Sequence, residues 1–345
     1  MPKKILITGG AGFMGSNFVN YLFNKYPDYQ ITVLDCLTYA GGIDNFPEKM
    51  FCDPRFKFVY GNVCNTQLVE DLVKENDAVI HFAAETHVTR SIADNLVFFE
   101  TDVMGSQSIA SAVTKHRDRV ERLIHISTSE VYGTAHDEKM KEDSHPLLPM
   151  SPYAAAKAGA DRLMYSYWET YKIPVTIIRP FNNYGPNQHL EKLIPRFITS
   201  CLLNETLNIH GDGQSSRDWL YVEDLCRGLD AALHVDQKKI DGQVINLGTG
   251  RDIDINTIAE IIIYKMQKPR SLINHILDRP GQVLRHTADI KKAKELLNWE
   301  PETIFEKGLD KTIEWYTNHT DWWKKRQWLR QVPIKRFSDD QIILH

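Results

Sequence analysis

The chain has 345 residues, which suits one large domain or two closely packed domains. Its hydrophobic and charged fractions, 42% and 25%, are those of an ordinary globular protein, and its net charge of −4 predicts no affinity for nucleic acid or for an anionic membrane. No apolar run reaches the roughly 20 residues that a membrane span requires, and the N-terminus lacks a secretory signal pattern. We therefore expect a cytoplasmic protein.

The cysteines and histidines argue against a metal site. The five cysteines are odd in number and scattered, and no Cys-x-x-Cys occurs. This pattern favours free thiols in a reducing compartment over disulfides or a zinc site. The thirteen histidines form no His-Glu-x-x-His or similar ligand spacing, so the sequence predicts no catalytic metal.

Short β-branched runs alternate with amphipathic helical patterns over the first two hundred residues. The predicted strands are Lys4–Thr8, Gln30–Asp35, Lys57–Tyr60, Ala78–Phe82, Arg122–Ser127 and Pro174–Pro180. The predicted helices include Met14–Asn24, Thr66–Glu75, Val103–Lys115 and Tyr153–Tyr171. This order predicts an α/β fold, a doubly wound parallel sheet (Rossmann fold) with helices on both faces.

The pattern changes beyond about Asn182, where longer loops contain proline and glycine between short helices and strands. We expect a Rossmann domain over residues 1–182 and a smaller mixed α/β C-terminal lobe over residues 183–345 that binds the substrate. The chain is expected to cross between the two more than once. The terminal stretch TDWWKKRQW predicts a docked helix.

A glycine-rich turn follows the first predicted strand, with Gly9, Gly12 and Gly15 in the spacing G-x-x-G-x-x-G. These glycines allow a tight turn, close approach of the backbone to a pyrophosphate, and close packing of the helix whose N-terminus favours phosphates. Asp35 ends the second strand, where a carboxylate accepts hydrogen bonds from an adenosine ribose and repels a 2′-phosphate; a simple strand-end cap is its alternative. The sequence therefore predicts a site for NAD rather than NADP.

Further cofactor contacts are expected at the ends of neighbouring strands. Asn62 follows the third strand, near the expected adenine edge, and the small residues Ala83 and Ala84 after the fourth strand let a cofactor lie flat over the sheet edge. The other residues assigned to the cofactor site are Phe13, Met14, Val63, Tyr153 and Lys157.

Polar side chains follow the fifth predicted strand and begin the next helix. Tyr153 and Lys157 stand four residues apart and share one helix face. A lysine ammonium and a positively charged nicotinamide favour a phenolate, which is a base able to take a hydroxyl proton while hydride leaves the same carbon. Ser127 and Thr128 are expected to bind that hydroxyl at the sheet crevice, and Glu130 adds a second acid or base. Strand capping and a solvated loop carboxylate are the alternatives for these three residues.

The sequence resembles the extended short-chain dehydrogenase/reductase family of NAD-dependent sugar-nucleotide epimerases and dehydratases, and most closely its dTDP-glucose 4,6-dehydratases. The resemblance spans nearly the whole chain in the family's order. The matching stretches include ILITGGAGFMGSNF, LDCLTYAGGIDN, HFAAETHVTRSI, STSEVYG, SPYAAAKAGAD, RPFNNYGPNQHLEKLIPRFI, GDGQSSRDWLYVEDLCRG, NLGTG and DRPGQVLRH.

The resemblance implies a three-step reaction. Hydride leaves sugar C4 for NAD, water is lost across C5 and C6, and the hydride returns to C6 to give a 4-keto-6-deoxy sugar. It also implies that Tyr153 is the oxidation base, Lys157 its partner, Thr128 the O4 ligand and Glu130 the acceptor of the C5 proton. The family is generally homodimeric, with the Tyr153 helix and the helix starting near Val103 forming a four-helix interface.

The resemblance further implies where the nucleotide sugar binds. Arg217 and Arg285 match the family's diphosphate-binding arginines, and Asn183 matches a phosphate-contacting amide. Glu191 and Lys192 match positions that line the sugar and base pocket. The full set implied to bind substrate is His87, Ser127, Thr128, Asn183, Glu191, Lys192, Arg217 and Arg285.

The chain departs from the dTDP-glucose enzymes at three positions. Ser129 replaces the aspartic acid that donates a proton to the leaving hydroxyl, and we keep it among the catalytic residues. GDP-mannose 4,6-dehydratases and UDP-glucuronate decarboxylases carry the same Thr-Ser-Glu. Thr89 and Asp102 replace the usual aspartic acid and asparagine.

Three other functions are alternatives to a 4,6-dehydratase. A UDP-glucuronate decarboxylase usually has an arginine where this chain has Met150, so a bidentate carboxylate clamp is missing there. A nucleotide-sugar 4-epimerase has no use for a C5 base such as Glu130. An NAD-binding sensor without activity needs none of the four residues Thr128, Glu130, Tyr153 and Lys157.

Overall fold

The computed structural model describes residues 3–135, 138–278, 283–335 and 341–344. Residues 279–282 of the matching stretch DRPGQVLRH lie outside this part of the chain. The strands of the described chain are β1 (Lys4–Thr8), β2 (Gln30–Asp35), β3 (Phe56–Tyr60), β4 (Ala78–His81), β5 (Arg122–Ile126), β6 (Val175–Pro180), β7 (Asn182–Tyr184), β8 (Leu207–His210), β9 (Ser216–Tyr221), β10 (Val244–Leu247), β11 (Asp252–Asp254), β12 (Ile273–Ile276), β13 (Pro333–Lys335) and β14 (Ile342–Leu344).

Helices are interspersed with the strands along the described chain. In the described chain they are α1 (Phe13–Lys25), α2 (Thr66–Val73), α3 (Val88–Ala93), α4 (Leu96–Phe98), α5 (Gly105–Lys115), α6 (Pro152–Tyr171), α7 (Leu193–Leu203), α8 (Val222–His234), α9 (Gln237–Ile240), α10 (Ile255–Lys265), α11 (Lys291–Leu297), α12 (Phe305–Asn318) and α13 (Thr320–Lys324).

The main sheet has seven parallel strands in the order β10-β6-β5-β4-β1-β2-β3. Every residue of β4, β5 and β6 is buried, as expected where helices cover both faces of a parallel sheet. Side chains alternate along β1, so Ile5 and Ile7 pack into the core beneath α1 and α8, whereas Leu6 packs beneath α2 and α5. The predicted doubly wound fold is confirmed.

The six predicted strands are observed with each end within one residue of its predicted position. The helix predicted from Val103 is wrong at its start. Residues Phe99–Met104 form a wide π-helical turn, and the regular helix α5 begins at Gly105. Hydrophobic spacing locates a helix but does not reveal an inserted wide turn, because such a turn shifts the helix register locally.

The C-terminal half forms a second cluster and also returns to the main sheet. Strands β11, β9 and β7 form one small sheet, β12 and β8 another, and α7, α10 and α12 pack around them. Strand β10 pairs with β6, and helix α8 packs on α1. The division of the chain at residue 182 therefore stays a prediction. It is not a clean boundary, because β10 and α8 from the second half of the chain pack on elements of the first half.

The predicted docked helix lies within TDWWKKRQW as α13, followed by a 3-10 turn over Gln327–Arg330. Trp323 is buried in the C-terminal cluster, and its indole Nε1 donates to the Tyr316 carbonyl at 2.8 Å. Among the helices of the described residues, none combines the length and the apolar character needed to span a membrane.

Candidate active site

A cavity of about 490 Å³ lies at the carboxyl ends of the main-sheet strands, between the sheet and the C-terminal lobe. Ligands of doubly wound sheets bind at this edge. The predicted site residues that line it are Gly9, Gly12, Phe13, Met14, Asp35, Asn62, Val63, Ala83, Ala84, His87, Ser127, Thr128, Ser129, Glu130, Tyr153, Lys157, Asn183, Glu191, Lys192 and Arg217. Among the predicted residues, Gly15 and Arg285 are not part of this lining.

The glycine turn leaves no room for a side chain at Gly9 or Gly15. Gly9 has φ +67°, and a Cβ there would lie 2.5 Å from the Ala83 nitrogen. A Cβ at Gly15 would collide with the Gly9 carbonyl, so Gly15 allows α1 to pack against the turn rather than lining the cavity. Gly12 caps α1 without a side chain, and the helix N-terminus therefore faces the cavity open to an anion.

Asp35 is held at the end of β2 by two backbone amides. Its carboxylate accepts hydrogen bonds from Ala11 N at 2.9 Å and Leu37 N at 2.8 Å. Burial raises the pKa of Asp35, and the two amide hydrogen bonds oppose that shift. A buried carboxylate in this position, next to a bare glycine turn, fits the adenosine end of NAD.

Helix α6 positions the Tyr153 and Lys157 side chains. Pro152 is its first residue, and the Ser151 hydroxyl accepts from Ala154 N at 3.1 Å as an N-cap. Both functional side chains are buried and face the cavity. The Lys157 ammonium donates to the Ile126 carbonyl at 2.7 Å, which fixes it at the end of β5.

The protein groups alone favour a neutral phenol at Tyr153. Burial raises its pKa well above the ordinary value, the Thr128 hydrogen bond lowers it, and Asp102 and Glu130 raise it further. Burial lowers the pKa of Lys157, while Asp102 opposes that change. The expectation that lysine and nicotinamide together favour the phenolate therefore depends on the positive charge of a bound nicotinamide.

Glu130 and Ser129 lie on a short 3-10 helix, Ser129–Tyr132, directly after β5. The Thr128 hydroxyl accepts from Glu130 N at 3.2 Å and so orients the start of this helix. The Glu130 side chain is 20% exposed and borders the cavity, whereas Ser129 is buried and contacts His286, with 3.3 Å from Oγ to Nδ1.

The C-terminal lobe closes the other side of the cavity. The Glu191 carboxylate is 1% exposed and lies 3.5 Å from Arg90 Nε and 3.6 Å from His87 Nε2. Burial raises its pKa, and Lys192 and Arg90 oppose that shift. The Lys192 ammonium donates to the Thr86 carbonyl at 2.9 Å, so this lobe is joined directly to the segment after β4.

The two predicted diphosphate arginines have different surroundings. Arg217 borders the cavity and donates to the Ser216 carbonyl at 2.9 Å. The Arg285 guanidinium is paired with the Asp252 carboxylate, with 3.1 Å between Nη2 and Oδ1. A phosphate contact by Arg285 stays a prediction.

Several lining residues were missed by the sequence analysis. Glu85 lies four residues beyond the end of β4, so its place after a strand was an available signal; burial raises its pKa to about 7. Arg330 comes from the last turn of the C-terminal lobe, and no local pattern marks it. The further polar residues of the lining that were missed include Thr86, Gln188, His189 and Arg196.

Buried polar atoms without a hydrogen-bond partner in the described structure indicate where ligand groups belong. Several of these atoms line the cavity, and they come from both lobes. Such atoms cost free energy unless a ligand or water satisfies them, so this wall is suited to a polar ligand. Those that line the cavity include Thr89 Oγ1, Asn183 Oδ1, Gln188 Oε1 and His189 Nε2. No cluster of three or more potential metal-ligating side chains occurs among the described residues.

The fold and the site define the class of protein. A bare glycine turn and a buried carboxylate suit NAD, and Tyr153 with Lys157 at the crevice suits proton and hydride transfer at one carbon. The chain is therefore an NAD-dependent enzyme built on a Rossmann fold. The family model for GDP-mannose 4,6 dehydratase matches residues 6–312, and the chain belongs to this family.

Similar proteins agree with this assignment. The chain is 44% identical over 312 residues to the low-salt glycan biosynthesis protein Agl12 of Haloferax volcanii, covering 90% of this chain and 98% of that protein. It is 40% identical to a dTDP-glucose 4,6-dehydratase of an Actinoplanes species, covering 93% and 99%. DesIV of Streptomyces venezuelae, a dTDP-glucose 4,6-dehydratase solved with NAD and TYD bound, has a TM-score of 0.88 at 40% identity, covering 93% and 99%. The chain is thus an NAD-dependent sugar-nucleotide 4,6-dehydratase.

Proposed function

We propose that the protein converts dTDP-glucose into dTDP-4-keto-6-deoxyglucose. In this reaction C4 is oxidised, water is eliminated across C5 and C6, and C6 is reduced. The observation that carries the proposal is the convergence of Thr128, Glu130 and Tyr153 on one cavity beside the glycine turn. A simple dehydrogenase needs a base for the hydroxyl but no second base on the neighbouring carbon.

The oxidation at C4 uses the base in the first turn of α6, Tyr153. Bound NAD supplies reversible hydride transfer. The Tyr153 phenolate takes the O4 proton, and the hydroxyl of Thr128, which hydrogen-bonds the phenol, holds O4 against it. Lys157 stays fixed on the Ile126 carbonyl and contributes its positive charge at the buried end of the site.

The elimination uses the carboxylate of Glu130. Hydroxide is a poor leaving group, so the C4 ketone must form first to stabilise negative charge at C5. Glu130 then takes the C5 proton, and its partial exposure to the cavity is consistent with contact to the sugar. Ser129 takes the place of the usual acid and is buried against the same wall.

The diphosphate and the sugar require polar groups on the C-terminal side. Arg217 and Lys192 bring positive charge to the cavity, and the unpaired Asn183 amide oxygen adds an acceptor for a hydroxyl. The decarboxylase alternative is weaker because Met150 is 46% exposed and outside the lining, so it supplies no carboxylate clamp.

We also propose a homodimer formed through α6 and the helical segment before and including α5. Large apolar side chains are exposed on this segment and on α6, which is unusual on a free surface. They include Leu96 at 63%, Met104 at 56%, Phe99 at 41% and Tyr165 at 37%. Two copies related by a twofold axis bury such a face against itself.

A cytoplasmic location is part of the same proposal. All five cysteines are free thiols, and Cys52 and Cys64 are exposed. Exposed free thiols suit a reducing compartment.

The test is incubation of the purified protein with dTDP-glucose, UDP-glucose, GDP-mannose and UDP-glucuronate, followed by mass measurement of each sugar nucleotide. Loss of one water from dTDP-glucose in preference to the others is the expected result. Loss of carbon dioxide from UDP-glucuronate supports the decarboxylase instead, and unchanged masses contradict the proposal. Tyr153→Phe is the inactive control for chemistry that depends on the phenol.

A further inference from the structure

A buried histidine lies directly behind the residues proposed for elimination. His286 is 0% exposed and follows Arg285 in the C-terminal lobe. Its Nδ1 lies 3.3 Å from Ser129 Oγ and 3.8 Å from Glu130 Oε1, and its Nε2 lies 2.8 Å from the Gly133 carbonyl oxygen. The imidazole thus contacts both residues that follow Thr128 without itself lining the cavity.

The contacts of His286 determine its tautomer. A carbonyl oxygen only accepts, so Nε2 must carry the hydrogen that it donates to Gly133. Burial lowers the pKa of His286 to about 4, with Glu130 opposing and Arg217 adding to this shift. The ring is therefore neutral near pH 7, and Nδ1 presents a bare lone pair.

A bare Nδ1 makes Ser129 the donor in the contact between them. The Ser129 hydroxyl hydrogen then points at the histidine and away from the sugar. In this state Ser129 has no hydrogen available for a leaving hydroxyl. Oε1 of Glu130 lies 3.8 Å from the same nitrogen. Once the carboxylate has taken a proton, it can therefore compete with Ser129 as a donor to Nδ1.

We propose that His286 is a positioning residue that acts through Ser129. It accepts the proton that Glu130 has taken from C5, and Ser129 then delivers a proton to the leaving hydroxyl. The inference rests on the proposed dehydration and extends it to a residue outside the cavity. It gives Ser129, which has no acidic proton of its own, a way to act where an acid is required.

The proton transfers balance over the elimination. The C5–H bond breaks, its electron pair forms the C5=C6 double bond, and the C6–O6 bond breaks with its pair on O6. The proton moves from C5 to Glu130 and from that carboxyl to His286 Nδ1. The imidazolium donates to Ser129 Oγ as the serine hydrogen moves to O6, which departs as water. Glu130 ends ionised, His286 neutral and Ser129 protonated, as at the start.

Two substitutions separate proton transfer from simple support. His286→Asn puts an amide near the Nδ1 position, where it still accepts from Ser129, and His286→Gln reaches toward the Gly133 carbonyl. Neither amide accepts a proton near pH 7. In single turnovers with dTDP-glucose, both variants should reduce bound NAD at the wild-type rate and lose water about 100-fold more slowly. KM should stay unchanged because His286 does not border the cavity.

The pair with Ser129 gives a second measurement. Ser129→Ala should slow water loss to a similar degree. The double variant Ser129→Ala, His286→Asn should be no slower than the slower of the two single variants, because the two substitutions interrupt the same proton route. His319→Gln, at an exposed histidine at the end of α12, is the matched control and should leave every step unchanged.

A measurement without turnover tests the tautomer directly. Nitrogen NMR of the holoenzyme labelled at histidine should show His286 with hydrogen on Nε2 and none on Nδ1 at pH 7. Hydrogen on Nδ1 overturns the proposal. Water loss by His286→Asn at the wild-type rate also overturns it, because the role of His286 would then be purely structural. If the wild-type protein itself releases no water from any nucleotide sugar, the proposed function fails instead, and the two failures are distinguishable.

Discussion

At the scale of single residues, burial shifts the pKa values of the two helix side chains that face the cavity. It raises the pKa of Tyr153 and lowers that of Lys157 in the same helix turn. Both shifts oppose the charged form, and the positive charge of a bound nicotinamide would offset the shift at Tyr153 by favouring the phenolate. The Glu130 side chain is less buried than this pair, at 20% exposed beside the cavity.

Replacing Glu130 separates the two halves of the reaction. Glu130→Gln keeps the size of the side chain but removes the proposed base for C5, so we expect C4 oxidation to proceed and water loss to slow by about 100-fold or more. Rapid mixing with dTDP-glucose should show reduced nicotinamide that accumulates without loss of water by mass.

The control is Glu169→Gln, which lies on the exposed end of α6 and pairs only with Lys172 among the contacts found in the described chain. It should leave both steps unchanged. Water loss by Glu130→Gln at the wild-type rate would show that another group takes the C5 proton.

At the scale of elements, the π-helical turn before α5 places a carboxyl group under the site. Asp102 is 0% exposed, and its Oδ1 accepts from Glu85 N at 2.8 Å. Burial raises its pKa to about 7, with Lys157 opposing that shift. A wide turn inside a helix often marks a functional position, and here it brings this carboxyl group near Lys157.

The raised pKa of Asp102 makes stability depend on pH. Between about pH 4 and pH 7 the folded protein keeps a proton that the unfolded chain has lost, so the free energy of unfolding falls as pH rises through this range. Asp102→Asn cannot ionise and keeps the acceptor for Glu85 N. It should therefore exceed the wild-type stability by about 4 kcal/mol at pH 8 and by about 1.5 kcal/mol at pH 5.

Denaturant unfolding of both proteins at the two pH values measures this difference. Asp118→Asn, at an exposed loop position, is the matched control and should show no such pH dependence. An Asp102→Asn variant with the same advantage at both pH values would mean that Asp102 is ionised throughout.

At the scale of the whole molecule, two clusters of apolar side chains share one cavity. The main sheet supplies the glycine turn and the Tyr153 helix, and the C-terminal lobe supplies Glu191 and Lys192. Contacts such as Lys192 to the Thr86 carbonyl cross between the lobes. Substrate groups must contact both sides, so the site depends on the relative placement of the two lobes.

The proposed dimer is also a whole-molecule property. Met104→Lys puts a charge into the apolar face formed with α6, and burying an unpaired charge is costly, so we expect the variant to be monomeric. Light scattering after gel filtration gives the mass. Tyr264→Lys, at an 84% exposed position on α10, should remain dimeric like the wild type. A monomeric wild-type protein contradicts the dimer proposal.

The sequence by itself determined the parallel sheet, the glycine turn and the positions of Tyr153 and Lys157. These are local features: buried β-branched runs, a glycine spacing and a four-residue helix repeat each act within a few residues. Their signals are therefore present in short windows of the chain.

Only the tertiary structure decided the remainder of the site. His286 reaches Ser129 across 157 positions of sequence, and Arg330 reaches the cavity from the last turn of the C-terminal lobe. The π-helical turn that places Asp102 was likewise invisible in hydrophobic spacing. Burial and hydrogen bonding between distant segments set these contacts, and no local pattern of residue types encodes which distant segments meet.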